Sequence, residues 1–288
     1  MSTAQTGGGT TVRRLMLGSQ LRRLREAGGV SREEAGYSIR ASESKISRME
    51  LGRVGFKERD VADLLTLYGV VGDGERGALL AMVGEANAAT WWHGYGDVVP
   101  SWFQNYLGLE EAASQIRSYE VQFVHGLLQT ADYARAVIRL GNASAGPEEI
   151  ERRVEVRIRR QELLTGDRAP RLLAVVDEAA LRRPWGGAEV MGAQIDRLVQ
   201  LAELPNVDLR VMPLRVGGNR AEGGAFSMLS FPEPELPDVV YLEQFTSALY
   251  LDKADQVGAY GRAMDRLAAD SLPSERGLAL LGLIRKEL

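Results

Sequence analysis

Apolar residues recur every three or four positions through the first third of the chain, and this spacing predicts a series of amphipathic helices. The first helix is predicted over Leu15–Ala27. A second, of about two turns, follows Ser31, and three more are predicted over Glu43–Glu50, Lys57–Tyr68 and Glu75–Ala88. Residues 1–11 are small, polar and glycine-rich, so they are predicted to form a disordered tail.

The second and third helices are short and carry their own start and stop signals. Ser31 is a favourable N-cap, and the Glu34 side chain can accept a hydrogen bond from its amide, which makes a capping box. Ser42 caps the third helix, and Gly52 is placed to end it in a left-handed conformation. Two short helices joined by a tight turn form the unit that places a helix in the major groove of DNA.

The outer face of the third helix is polar, and its members are Glu43, Ser44, Lys45, Ser47 and Arg48. From residue 13 to residue 57 the chain has eleven Lys or Arg and five Asp or Glu, whereas the net charge of the whole chain is −4. A basic patch on an acidic protein is typical of a surface that binds phosphates. A helix that is merely solvated is the alternative explanation of the polar face.

Two motifs stand out in this unit, Ser31-Arg-Glu-Glu-Ala and Ser42-Glu-Ser-Lys-Ile-Ser-Arg-Met-Glu-Leu-Gly-Arg. They resemble the helix-turn-helix of Xre-type, or lambda-repressor-like, regulators, which implies an all-α domain of five helices. By this resemblance the positions that read bases are Glu43, Ser44 and Arg48, and Ser47 on the same face joins them. The resemblance also implies phosphate contacts from Arg32, Lys45 and Arg53. The family often has Gln where Glu43 stands, and a carboxylate favours a cytosine amino group over an adenine edge.

Arg25 and Glu50 are predicted to form a largely buried ion pair. Glu50 lies at the C-terminal end of the third helix, where the helix macrodipole disfavours an anion. Arg25 follows Leu21 by four residues on the inward side of the first helix. The same positions are often paired in the family that the motifs resemble.

The length and composition of the chain indicate a second domain and exclude several kinds of chemistry. At 288 residues the chain is too long for the helical module alone, so a second domain of about 200 residues is predicted. The chain has no cysteine, no apolar run of about 18 residues and no signal-peptide pattern at its start. Disulfides, thiolate chemistry and a membrane span are therefore not expected. The protein is expected to be cytoplasmic.

The pattern changes after residue 88, and the remainder is predicted to be α+β with a small, largely antiparallel sheet. Helices are predicted over Leu109–Glu120, Thr130–Leu140, Pro147–Leu164, Ala188–Glu203, Ala254–Ala269 and Pro273–Glu287. Strands are predicted over Arg171–Val176, Val207–Met212, Ala225–Phe231, Val239–Phe245 and Ala248–Leu251. The predicted divisions are the tail at 1–11, a helix-turn-helix domain at 12–88, a junction at 89–108 and a regulatory domain at 109–288.

Aromatic residues are concentrated at the junction, where they are Trp91, Trp92, Tyr95, Trp102, Phe103 and Tyr106. Aromatic side chains bury a large area when they pack. The segment is therefore predicted to be a linker packed between the domains. A cradle for a ligand is the alternative.

The second domain contains the motifs Trp102-Phe-Gln-Asn-Tyr-Leu-Gly-Leu-Glu, Gly126-Leu-Leu-Gln-Thr-Ala-Asp-Tyr-Ala-Arg and Asp177-Glu-Ala-Ala-Leu-Arg-Arg. They resemble the large C-terminal domain of actinobacterial Xre-type regulators, an antitoxin-like group that includes WhiJ-like developmental regulators. The resemblance implies a regulatory domain that is often encoded beside a small partner protein. His125 departs from it, because the family usually has Pro before Gly-Leu-Leu.

No catalytic site, metal site or cofactor is predicted. The two histidines, His93 and His125, lie too far apart in the sequence for a ligand or nucleophile motif. Asp177 and Glu178 follow a strand, but successive strand residues point to opposite faces, so Glu178 is interpreted as the start of a capped turn. The glycine-rich stretch Gly217–Gly224 matches no nucleotide-binding motif and is interpreted as a hairpin turn, with a mobile lid as the alternative.

These observations predict a sequence-specific transcriptional regulator that binds double-stranded DNA. Its C-terminal domain is predicted to form a homodimer and to receive a signal from a protein partner or a ligand, so that two modules read an inverted-repeat operator. Apolar surface for the dimer is expected in the aromatic segment, at Val154 and Ile158, and on the last helix at Leu280, Leu281 and Ile284. An antitoxin-like protein that neutralises a small partner and regulates its own operon is the alternative. A small-molecule sensor or enzyme is a third hypothesis.

Overall fold

The computed structural model of the protein describes residues 7–216 and 223–288, and these residues form two compact units. The first unit contains the described residues up to Gly94, together with Asn105–Ala112 and Glu233–Leu236. The second contains Tyr95–Gln104 and the described parts of Ala113–Pro232 and Pro237–Leu288.

The first unit is built on five helices, which are α1 (Gly7–Ala27), α2 (Arg32–Ser38), α3 (Glu43–Glu50), α4 (Glu58–Leu67) and α5 (Asp73–Ala86). Their apolar faces meet in one core, whose buried members include Leu17, Leu21, Ile46, Met49, Val61, Leu64, Leu65, Leu79 and Val83. The all-α, five-helix character of this part of the chain was predicted from the sequence, and the structure agrees.

Helix α1 begins earlier than the sequence predicts. Residues 1–6 of the predicted tail lie outside the described residues, but α1 starts at Gly7 rather than at Leu15. Thr10 and Thr11 are buried, and a Cβ atom at Gly108 would lie 2.1 Å from the Thr11 hydroxyl oxygen. Small polar residues therefore continue the helix here because they fit against a glycine that is distant in sequence.

The second unit contains most of the remaining elements. Its helices are α7 (Ala131–Gly141), α8 (Pro147–Arg160), α9 (Glu178–Arg182), α10 (Ala188–Leu201), α11 (Ala254–Asp270) and α12 (Ser274–Glu287), while α6 (Ser101–Ala112) has residues in both units. Its strands are β1 (Gln115–Glu120), β2 (Arg171–Asp177), β3 (Val207–Met212), β4 (Phe226–Ser230), β5 (Val239–Glu243) and β6 (Ala248–Leu251). Short 3-10 turns lie at Trp91–Tyr95, Gly126–Leu128 and Gln161–Leu164.

The α+β class of this unit agrees with the prediction, but its sheet is larger and more mixed than the small, largely antiparallel sheet that was predicted. The sheet has six strands in the order β3-β2-β1-β4-β5-β6 and is mixed. Strands β1, β2 and β3 run parallel to one another. The pairs β1–β4, β4–β5 and β5–β6 are antiparallel. The central strand β1 was instead predicted as the end of a helix over Leu109–Glu120. Helix α6, which begins at Ser101, occupies the end of the predicted junction at 89–108.

Strand β1 escaped prediction because it is covered on both faces. Ile116 and Ser118 are buried on one face and Tyr119 is buried on the other, so the apolar and polar positions do not alternate. Tyr119 packs in a core with Met264 and Leu267 of α11. Such a strand is not distinguished from a helix by periodicity alone.

Two of the three surfaces expected to form a dimer are largely buried inside the second unit. Val154 and Ile150 of α8 pack against Ala134 and Ile138 of α7, and Ile158 lies against the same cluster. Leu281 and Ile284 of α12 are also fully buried. The apolar face of α8 and most of the apolar face of α12 are thus buried by contacts within a single chain.

Two predictions remain, that of no membrane span and that of a turn at Gly217–Gly224. In the part that the structure describes, no helix is long and apolar enough to cross a membrane. The predicted glycine-rich turn at Gly217–Gly224 lies mostly outside the described residues, because 217–222 are not among them.

Glu120, at the end of β1, generates a pH-dependent prediction. Burial, with the charge of Glu243 adding to it, raises the pKa of Glu120 to about 8. An unfolded glutamate has a pKa of about 4.3, so between these values the folded chain holds a proton that the unfolded chain has lost. The free energy of unfolding therefore falls as the pH rises from about 4.3 towards 8.

The variant Glu120→Gln has no proton to lose and is expected to lose less stability than the parent between pH 5 and pH 8. Urea unfolding at both pH values measures this difference. Glu275→Gln, which changes an exposed carboxylate on α12, is the matched control. Parallel pH profiles for the parent and Glu120→Gln would contradict the prediction.

Candidate DNA-binding surface

The two short helices of the candidate site are started by their caps. The Ser31 hydroxyl accepts a hydrogen bond from the Glu34 amide at 3.1 Å, and the Glu34 carboxylate accepts one from the Ser31 amide at 2.7 Å. The hydrogen bond from the Ser31 backbone lowers the pKa of Glu34 below its ordinary value. The Ser42 hydroxyl accepts from the Lys45 amide at 3.2 Å, so α3 begins where the sequence predicts.

Three glycines fix the position of α3. A Cβ atom at Gly36 would lie 2.7 Å from the carbonyl oxygen of Ala41, and one at Gly18 would lie 2.5 Å from that of Met49. Gly52 has a φ of 63° and ends α3 in the left-handed region. The backbone of α2 thus meets the turn before α3, and the backbone of α1 meets its end, without an intervening side chain.

The carboxylate of Glu50 joins three helices. Its side chain is 1% exposed and accepts hydrogen bonds from Arg25 Nε and, at 3.3 Å, from Arg25 Nη2. Arg32 Nε donates to Glu50 Oε2 at 2.9 Å, and this is the oxygen that also accepts from Arg25 Nη2. Because α1 carries Arg25 and α2 carries Arg32, this one group ties the end of α3 to both.

The electrostatics of this cluster follow from its burial. Arg25 also donates to the Val30 carbonyl at 2.9 Å, and its hydrogen bond to Glu50 raises the pKa of Arg25 above its ordinary value. Burial, with the charge of Glu50 adding to it, raises the pKa of Tyr68 to about 12. Glu50 is therefore a buried anion held by two cations, which is the arrangement that makes a buried charge tolerable.

The predicted base-reading residues lie on one face of α3. Glu43, Ser44 and Arg48 are exposed and Ser47 is half-buried, while Ile46 and Met49 on the opposite side are buried in the core. Arg48 Nε donates to the Ser44 carbonyl at 3.3 Å. The face presents a carboxylate, hydroxyls and a guanidinium, which are the groups that pair with base edges in the major groove.

The predicted phosphate contacts are less uniform. Arg32 is engaged by Glu50, and Lys45 Nζ donates to the carboxylate of Asp60 on α4 at 2.7 Å. Arg53 is half-buried after the end of α3. Sequence reasoning missed the second role of Arg32 and the involvement of Asp60, because both depend on how α4 and α2 pack against α3.

Asp177, Glu178 and His125 of the second unit hold turns. Asp177 accepts from the Ala179 amide at 2.9 Å and from the Tyr119 hydroxyl at 3.1 Å, so it caps α9. Glu178 accepts from Arg182 at 2.7 Å and from the Leu214 amide at 2.9 Å. Nδ1 of the buried His125 accepts from the Leu127 amide at 3.3 Å, whereas His93 is exposed. These hydrogen bonds give the two carboxylates and His125 structural roles.

The aromatic residues of the predicted junction are divided between the two units. Trp91 and Trp92 pack edge to face in the first, with ring centroids 5.5 Å apart. In the second, Arg160 lies over the ring of Phe103 at 5.1 Å and Arg152 over that of Tyr95 at 5.6 Å. Each of these three ring contacts is made within one unit.

This geometry defines the first unit as a helix-turn-helix domain of the kind that binds DNA. The family model described as "Helix-turn-helix domain" matches residues 16–79. The model described as "Domain of unknown function (DUF5753)" matches residues 103–282, which is more than half of the chain, and the protein therefore belongs to the DUF5753 family. No curated protein and no solved structure matches the chain.

The role of Glu50 can be tested by truncating it. Glu50→Ala leaves Arg25 buried without its partner, and we expect this to cost about 3–5 kcal/mol of the free energy of unfolding of the first unit. Hydrogen exchange of the amides of α1, α2 and α3 in increasing urea measures this unit by itself. Glu43→Ala, which removes an exposed carboxylate from the same helix, should change the stability by less than about 0.5 kcal/mol. Equal stability of the two variants would contradict the structural role of Glu50.

Proposed function

We propose that the protein is a transcriptional regulator of the Xre type that recognises its operator through α3. The observation that carries the proposal is the polar outer face of α3, held at the end of a capped two-helix unit. The match of residues 16–79 to a helix-turn-helix family supports DNA binding itself. The excess of six positive charges between residues 13 and 57 supports a phosphate-facing surface.

The side chains of α3 divide by chemistry into base readers and backbone contacts. Arg48 carries the planar fork of donors that pairs with guanine, and Glu43 offers acceptors that suit the cytosine amino group. Ser44 and Ser47 add shorter hydroxyl contacts on the same face. Phosphate binding is assigned to Arg53, and to Arg32 and Lys45 so far as their ion pairs with Glu50 and Asp60 leave donors available.

Arg48 and Arg53 should respond differently to truncation. Arg48→Ala is expected to cost about 1–3 kcal/mol on the operator and much less on random DNA, because it removes a base contact. Arg53→Ala is expected to weaken both alike and to lower the salt slope by about one per module, because it removes a phosphate contact.

The measurement is a titration of the full chain against both DNAs at several salt concentrations, after footprinting on the promoter of its own gene has located the operator. Arg139→Ala, which changes an exposed arginine of α7, is the control for net charge. An equal loss on operator and random DNA for Arg48→Ala would remove it from the base readers.

The C-terminal domain is proposed to dimerise and to receive the regulatory signal. A single module of this size buries little DNA surface, whereas two related by a two-fold axis read two half-sites. Since the seams of α8 and α12 are consumed internally, the proposed contact is the β5–β6 hairpin. There Phe245 is 95% exposed and Leu249 is 52% exposed, and β6 has β5 as its only strand neighbour among the described residues.

Light scattering should show a dimer of the full chain, and footprinting should show an inverted repeat with half-sites about 34 Å, or a multiple of it, apart. Leu249→Arg places a charge on the hairpin and should give monomers that bind the operator more weakly. Leu283→Arg, at an exposed leucine of α12, is the matched control and should stay dimeric. A monomeric parent, or a dimeric Leu249→Arg, would contradict this assignment.

The same hairpin favours one second candidate function, that of an antitoxin-like protein. A nearly fully exposed phenylalanine suits the binding of a small partner protein as well as it suits a second copy of the chain. Purification of the tagged chain from its native cells separates the two. A small protein that copurifies in a stoichiometric amount with the parent chain, and does not copurify with the Phe245→Asp variant, would favour the antitoxin-like function.

A further inference from the structure

The turn between α2 and α3 holds Arg40 in a backbone conformation that arginine rarely adopts. Its φ is 54°, and among the described residues it is the one residue other than glycine with a positive φ. A left-handed conformation brings the Cβ atom of an L-residue close to its own carbonyl oxygen and is unfavourable for any residue except glycine. The turn imposes this conformation, because the Ala41 amide donates to the Gly36 carbonyl at 2.8 Å and Ser42 must reach its capping position.

No hydrogen bond or ion pair of the side chain with a described residue offsets this strain. Arg40 is exposed, and its guanidinium makes no hydrogen bond or ion pair with any residue that the structure describes. The neighbouring cations behave differently, since Arg32 donates to Glu50 and Lys45 donates to Asp60. Residues held in sparsely populated backbone conformations cluster at functional sites, so the exposed Arg40 side chain is a candidate for a function.

The position of Arg40 indicates what the function is. Arg40 lies two residues before Ser42, which caps α3, and the first turn of α3 carries the predicted base readers Glu43 and Ser44. A helix that enters a major groove about 12 Å wide has the residues before its N-terminus beside the groove wall, where the phosphates lie. Tyr37, whose carbonyl accepts from the Arg40 amide at 3.1 Å, is 88% exposed and belongs to the same surface.

We propose that Arg40 binds a DNA phosphate at the wall of the major groove, and that this contact is why a strained arginine occupies the turn. The proposal rests on the proposed function, since it assumes that α3 lies in the groove. It adds a phosphate contact that has no structural partner to compete with, unlike Arg32 and Lys45. The DNA-binding surface then extends from α3 to the turn that precedes it.

The test compares four variants of the full chain on operator and random DNA. Arg40→Gly relieves the strain and removes the charge, so its Tm should rise by about 2–4 °C. Its affinity for both DNAs should fall about fivefold per module at 0.15 M salt, and its salt slope should fall by about one per module. Arg40→Gln should bind as weakly with an unchanged Tm, and Arg40→Lys should bind within twofold of the parent. Arg139→Gln makes the same change in net charge on α7 and should bind like the parent.

The outcomes separate this proposal from the proposed function. If the parent binds no DNA, both are overturned. If the parent binds its operator and Arg40→Gly or Arg40→Gln binds with the same affinity and salt slope, only the role of Arg40 is overturned. A Tm of Arg40→Gly below that of the parent would show that the side chain stabilises the turn, and would overturn the argument from strain.

Discussion

The buried carboxylate of Glu50 is the interaction on which the DNA-binding unit depends. It lies at the end of α3 where the helix macrodipole disfavours an anion, so the group is stable only because Arg25 and Arg32 meet it. Each arginine comes from a different helix, and neither can leave without uncovering a buried charge. The hydrogen bonds are directional, whereas the apolar core around Ile46 and Met49 is not. Glu50 therefore determines the orientation of α3 more narrowly than core packing alone.

This arrangement changes what the positive charge of the unit means. The excess of six charges between residues 13 and 57 predicts a phosphate-binding surface, but part of it is neutralised inside the unit. Arg32 belongs to the Glu50 cluster, and Lys45 is paired with Asp60 of α4, which lies outside the counted stretch. The charge available to DNA is accordingly smaller and more localised than the sequence indicates. Arg48 and Arg40 are exposed, and DNA contacts are proposed for both.

The parts of the fold that could be predicted are those decided by neighbouring residues. The bounds of α3 follow from Ser42 and Gly52. The pair of Arg25 with Glu50 was predicted from the macrodipole, from the spacing of the inward face of α1 and from the resemblance to a family in which these positions are often paired. Strand β1 could not be predicted, because its pairing with β2 and β4 joins segments more than 50 residues apart and both its faces are buried. The engagement of Lys45 by Asp60 was not predicted either, because it depends on how α4 packs against α3. The spacing of apolar residues indicates which face of an element is buried, but it does not indicate which other element packs against that face.

That distinction also explains why two of the surfaces expected to form a dimer, those of α8 and α12, are largely internal. The apolar stripes of α8 and α12 are covered by elements of the same chain, so the place for a partner has to be sought in what the sheet leaves open. An open sheet has two edges, and its outer strands expose unpaired backbone groups. The edge at β3 is partly closed, because the Leu272 amide donates to the Val211 carbonyl at 2.8 Å. Strand β6 has no backbone bridge of this kind among the described residues, and Leu249 on β6 and Phe245 in the preceding turn are both exposed. Sheet topology, which the sequence did not reveal, therefore favours this hairpin over the helical seams as the contact surface.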